Sequence, residues 1–214
     1  SDGTPAGTRR INPTVQLRLP RNMTEANGLL FFDAAASGTN TELWVTDGTT
    51  AGTREVLDIR AGPSSSSPAN LTVCNGRLFF TADDGMTGSE LWVTNGTATG
   101  TVRLTDIYPG SVGSSPADLI CSGDTLYFDA FWSSRVGGNG RELYKSDGTP
   151  AGTTLVKDVS PGPSSGGMGQ ALPAGNGGIY FESTMSSGPV VTGSELFYSD
   201  GTAAGTVLVC EGTP

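Results

Sequence analysis

The apolar positions fall in short continuous runs, not in the alternation of a half-exposed strand. Four of these runs follow a tight-turn signal: "NGLLFF" at 27–32, "NGRLFF" at 75–80, "SGDTLYF" at 122–128 and "NGGIYF" at 176–181. Unbroken apolar-aromatic runs of this length predict strands buried on both faces. Asn27-Gly28, Asn75-Gly76 and Asn176-Gly177 predict two-residue hairpin turns, because both central positions of such a turn need positive φ. A second set of segments starts at Glu42, Glu90, Glu142 and Glu195, as in "ELWVTDGTTAGT". There Leu43 and Val45 point to one side of a strand and Trp44 to the other, so this strand too is expected to be covered twice.

The pattern has a period. The first residue of the D/N-G-T triplet falls at Asp2, Asp47, Asn95, Asp147 and Asp200, giving separations of 45, 48, 52 and 53. Each period holds four strand-sized pieces. Strand A is "TREVLDI", "TVRLTDI" or "TTLVKDV", and a Pro/Gly/Ser loop follows it. Strand B is short ("LTVC", "LICS"), strand C is the aromatic run and strand D is the Glu-Leu-Trp segment. Repeats of this length built from four-stranded antiparallel meanders, buried on both faces, predict an all-β protein of β-propeller type.

The expected blades run approximately 7–48, 49–96, 97–148 and 149–201 within a single domain of residues 1–214, with a surplus strand at 206–212. An unpaired strand invites pairing with another chain. The chain opens on "SDGTPAGT", the middle of its own repeat, so a processed or trimmed N-terminus is expected.

The residues "ELWVTDGTTAGT", the following "DIRAGPSSSSPANL" and "NGRLFF" resemble the ELWxxDGT-repeat family, labelled hyalin-like. The resemblance extends over essentially the whole chain. Asn95 replaces one triplet Asp, and Tyr144 and Phe197 stand where the other copies carry Trp. What the resemblance implies is a secreted or cell-surface, propeller-like repeat protein with no established catalytic activity.

Composition narrows the function classes. A net charge of -9 with only 12 Lys and Arg speaks against nucleic-acid binding, and no apolar run approaches membrane-spanning length. There is no histidine, which removes the commonest general base and most zinc sites. Repeated carboxylates (Asp47, Asp147, Asp200; Asp58, Asp106, Asp158; the four Glu of strand D) could line a calcium site or form a glycosidase pair. Their even recurrence instead predicts one structural job performed in every blade, with Asp capping turn N–H groups. No metal, cofactor or catalytic residue is expected, and the chain is read as a non-enzyme.

The distance from the strand C aromatic to the strand D Glu is 10, 10, 14 and 14 residues in the successive repeats. Variation is thus confined to the one face shared by the A–B and C–D connections, where function is usually grafted. The third such loop carries Phe131, Trp132 and Arg135, candidates for stacking on a sugar or anchoring a protein. Sequons at Asn22, Asn70 and Asn95 are candidate N-glycosylation sites. Equivalent points on packed sheets lie about 10 Å apart, beyond the roughly 7 Å Cα limit of a disulfide. No Cys74–Cys121 bridge is therefore expected, and Cys210 becomes the candidate for a link to another chain. The expected function is an extracellular structural or interaction module, partnered by other protein chains in a surface or fibrous assembly. The alternative is a carbohydrate-binding module, and a propeller glycoside hydrolase is the remote third.

Overall fold

The computed structural model describes residues 3–8, 10–11, 16–36, 38–131, 140–160, 165–184 and 194–210. Its strands form four antiparallel four-stranded sheets, each a meander in chain order. The first holds β1 (Arg18–Ala26), β2 (Leu29–Ala35), β3 (Thr41–Thr46) and β4 (Arg54–Leu57), and the second β5 (Ala69–Cys74), β6 (Arg77–Asp83), β7 (Ser89–Thr94) and β8 (Val102–Arg103). The third holds β9 (Ala117–Ser122), β10 (Thr125–Phe131), β11 (Arg141–Ser146) and β12 (Thr154–Lys157). The fourth holds β13 (Ala171–Pro173), β14 (Ile179–Ser183), β15 (Glu195–Ser199) and β16 (Val207–Cys210). The all-β propeller architecture read from the sequence is the one observed.

The phase of the blades is corrected. Each sheet runs B-C-D-A, because the strand after a joint pairs back onto the strand before it, as Val45 with Arg54 and Tyr198 with Val207. The tight joint leaves that strand no reach to another sheet, whereas the longer Pro/Gly/Ser segment does. The strand expected as surplus at 206–212 is accordingly β16, the fourth strand of the last sheet. The strands B, here β1, β5, β9 and β13, pack against one another in succession and are the innermost.

Apolar burial lies between sheets. Phe31, Leu43, Val45 and Val56 of the first sheet meet Leu78, Phe80, Ala82 and Trp92 of the second. Phe79, Leu91, Val93 and Leu104 meet Leu126, Phe128, Ala130 and Tyr144, and Tyr127, Leu143 and Val156 meet Ile179, Phe181 and Phe197. Both faces of the aromatic strands are thus used, as their unbroken hydrophobicity requires.

The expected absence of a Cys74–Cys121 bridge is also corrected: the two are disulfide-bonded, with Cα atoms 5.3 Å apart. The usual spacing of packed sheets, about 10 Å, does not hold at the innermost strands, where β5 lies against β9. Cys210 falls in β16, opposite Leu196.

Candidate functional site

The repeated carboxylates are consumed by the scaffold. In the first joint, Asp47 Oδ1 accepts from the N–H and hydroxyl of Thr49 at 2.9 and 2.7 Å. Thr49 Oγ accepts from Gly52 N, and the Thr53 hydroxyl closes the turn onto Thr49 O at 2.6 Å. The same bonds recur around Asn95, Asp147 and Asp200. Hydrogen bonds from the Thr side chain hold the carboxyls of Asp47, Asp147 and Asp200 below the usual range. Asn95 works equally well because the turn needs only an oxygen acceptor.

The strand D glutamates clamp the segment leading to the next sheet. Glu42 accepts from Ile59 N, Ser66 N and Ser66 Oγ, and Glu90 accepts from Ser114 N and Ser114 Oγ. Burial raises the pKa of both. At the third clamp Gly166 stands in place of the serine, so the hydroxyl donor of the first two clamps is missing there. Among the described residues the Glu142 Oε1 is buried without a partner. Burial, reinforced by nearby Asp158, pushes Glu142 up to about 7.

The loop-bearing end of the innermost strands is different. There, non-glycine residues adopt left-handed backbone at the entry to three neighbouring inner strands (Leu19, Ser67 and Ser115) and within them (Asn22, Asn70 and Asp118), with φ between 45° and 54°. Short polar side chains tolerate that conformation, while Leu19 is strained in it. The ladders are bulged at the same places, between Arg21 and Thr24 and between Ala69 and Thr72. Bulges of this kind re-aim side chains next to sites. Asn22, Asn70 and Asp118, with Thr24 and Thr72, surround a cavity of about 440 Å³ whose apolar lining is Met23, Leu71 and Leu119.

Behind this axial cup, Asn22 Nδ2 donates to Asp33 Oδ1 at 2.8 Å and Asn70 Nδ2 to Pro116 O at 3.2 Å. The Asp118 carboxyl is raised by partial burial and by the charge of Asp129. Arg141 pairs with Asp129, donates to Ser115 O at 2.9 Å and lies 4.7 Å over the Phe131 ring, which is 42% exposed. An array of amide, hydroxyl and carboxylate groups above an apolar floor suits a ligand with many hydroxyls and an apolar ring face.

Of the residues singled out in the sequence, Phe131 stands beside this cup, while Trp132 and Arg135 lie outside the described residues. Asn22 and Asn70 belong to the cup, with their amide nitrogens already donating within the fold. Asn95 sits exposed in a joint with its Oδ1 occupied. Asp118 and Arg141 were missed. The equal separations of 48 from Asn22 to Asn70 and from Asn70 to Asp118 could have placed Asp118 in the set.

No family model matches the chain, and no curated protein matches it. Solved structures do. Puromycin hydrolase is 18% identical with a TM-score of 0.52, the match covering 95% of this chain and 33% of that one. TolB from Acinetobacter baumannii is 12% identical with a TM-score of 0.48, covering 85% and 40%. The endo-arabinase from Bacteroides thetaiotaomicron is 15% identical with a TM-score of 0.39, covering 92% and 81%. The chain spans about a third of the length of puromycin hydrolase. Together with the four sheets, the likeness to puromycin hydrolase gives the fold as a β-propeller. The expectation of a non-enzyme is corrected: puromycin hydrolase is an enzyme that contains the same fold, so the fold does not mark the chain as non-catalytic.

Proposed function

We propose that the chain is an extracellular interaction module that recognises a carbohydrate ligand on its loop face, in the axial cup. The observation that carries this reading is the left-handed set Asn22, Asn70 and Asp118. It is repeated on three neighbouring strands around one cavity, whereas the other repeated polar groups are spent on turns and clamps. Left-handed backbone at these equivalent positions turns three short polar side chains alike around the cavity. Phe131, under the Arg141 guanidinium, extends the cup with an aromatic surface of the kind that stacks on sugar rings. The Cys74–Cys121 bridge supports an oxidising, extracellular setting, as does the ELWxxDGT resemblance. The sequon at Asn95, in an exposed turn, is the position we propose for glycosylation.

Glycan-array screening tests the reading. The chain should bind a defined glycan subset, and Asn70→Ala, Asp118→Ala and Phe131→Ala should each lower that binding at least tenfold while leaving the melting temperature within a few degrees. Absence of any binding by the unaltered chain would contradict it.

A further inference from the structure

The polar side chains around the axial cup present acceptors to it. Asn22 Nδ2 donates to Asp33 Oδ1 at 2.8 Å and Asn70 Nδ2 to Pro116 O at 3.2 Å. A carboxylate and a proline carbonyl only accept, so both amide orientations are fixed. Each Oδ1 is thereby left for the cavity that Asn22 and Asn70 line. Among the described residues nothing donates to either oxygen, nor to the Asp118 carboxylate. The hydroxyls of Thr72 and Thr24 donate to the backbone, to Asn70 O at 3.1 Å and Asn22 O at 3.4 Å, and keep only lone pairs for the cup. Arg141, whose charge acts on Asp118, spends its guanidinium on Asp129 and Ser115 O.

Such an array selects its ligand by donor count and charge. Sulfate, phosphate and carboxylate groups only accept and find no donor in it, and a neutral hydroxyl brings a single proton. A primary ammonium brings three N–H donors and a positive charge. Asn22, Asn70 and Asp118, at equal separations of 48 residues on neighbouring strands, offer three equivalent acceptors. Hydrogen bonds with one charged partner are about twice as strong as neutral ones. A bare calcium ion fits less well, because it takes about six to eight oxygens. A cavity of about 440 Å³ floored by Met23, Leu71 and Leu119 is too wide and too apolar to supply them. The same floor suits the apolar face of a sugar ring.

We propose that the ligand of the cup is an amino sugar with a free amine. Its ammonium is held by Asn22 Oδ1, Asn70 Oδ1 and the Asp118 carboxylate, and its ring lies on Met23, Leu71 and Leu119. This inference rests on the carbohydrate reading of the cup and narrows it to one class of sugar. Asp118 supplies the charge that tells an ammonium from an acetamide, and the two amides supply direction. N-acetylation removes the charge and two of the three donors, so the acetylated sugar loses most of what the array recognises. Sulfated and uronic-acid glycans are repelled by Asp118.

The test is calorimetric titration with the glucosamine trisaccharide, its fully N-acetylated form, Nα-acetyl-lysine amide and calcium chloride. It is run at about pH 6, below the range in which such amines lose their proton. The free-amine trisaccharide should bind at least about tenfold more tightly than the acetylated one. Asp118→Asn should shrink that preference to within about threefold, with the melting temperature held within a few degrees. Phe131→Ala should weaken both forms alike and leave the preference intact. Equal affinity for the two trisaccharides, or a preference that survives Asp118→Asn, would overturn the inference and leave the carbohydrate reading standing. Silence with both trisaccharides overturns it too, while the glycan array decides the wider reading separately. Lysine amide binding as tightly as the free-amine trisaccharide would assign the cup to ammonium groups of any source and overturn the amino sugar. Calcium binding in place of either sugar would overturn both readings.

Discussion

Glu142 shows how one residue change alters an otherwise repeated device. Glu42 and Glu90 receive a serine hydroxyl as well as backbone N–H groups, and Glu142 faces Gly166 instead. Its folded pKa of about 7 lies above the ordinary carboxyl value of 4.5, so the folded state binds the proton more tightly than the unfolded chain. The stability tied to that proton is fully present below about pH 4.5 and is lost as pH rises through about 7. Glu142→Gln should therefore flatten the decline of melting temperature between those values, and identical slopes for variant and parent would count against the assignment. Recurrence alone identified these acids as scaffold. The orphaned oxygen was not legible, because it depends on a glycine 24 residues away whose role appears only once the linker folds back. Asn22 and Asn70 stood out as sequons, and the 48-residue spacing that joins them to Asp118 marks equivalent positions without showing the axis that the three strands share.

At the scale of elements, the joint is the most determined piece of the molecule. Gly48, Gly96, Gly148 and Gly201 have φ between 84° and 89°, and the second glycine of each joint leaves no room for a Cβ beside the Asp or Asn side chain. Gly152→Ala should cost about 1–3 kcal/mol through that overlap, measured by denaturant unfolding; a neutral result would show that the turn relaxes at no cost. The twelve-residue phrase made the joint readable directly from the sequence. The phase of the sheets was less accessible, because a meander shows the same order of strands wherever it is cut. The physical distinction lies in the connections. A joint tied by its own Asp-Thr bonds keeps D and A in one sheet, and the Pro/Gly/Ser segment, held by the strand D glutamate, carries the chain to the next.

For the whole molecule, the central claim is that four sheets follow one another around a common axis with β1, β5, β9 and β13 innermost, so that Asn22, Asn70 and Asp118 share one cup. Sequence periodicity showed the number and kind of blades. It could not show how closely they approach, because the usual sheet spacing describes flat stacks and not inner strands meeting at an axis. The Cys74–Cys121 bridge reports that approach, and its loss on reduction should lower stability by about 2–4 kcal/mol. Peptide mapping of the unreduced protein by mass spectrometry is the most direct test. A peptide pair joined through Cys74 and Cys121 is the result expected of inner strands converging at the axis. Either cysteine found as a free thiol, or bridged to Cys210, would contradict that arrangement.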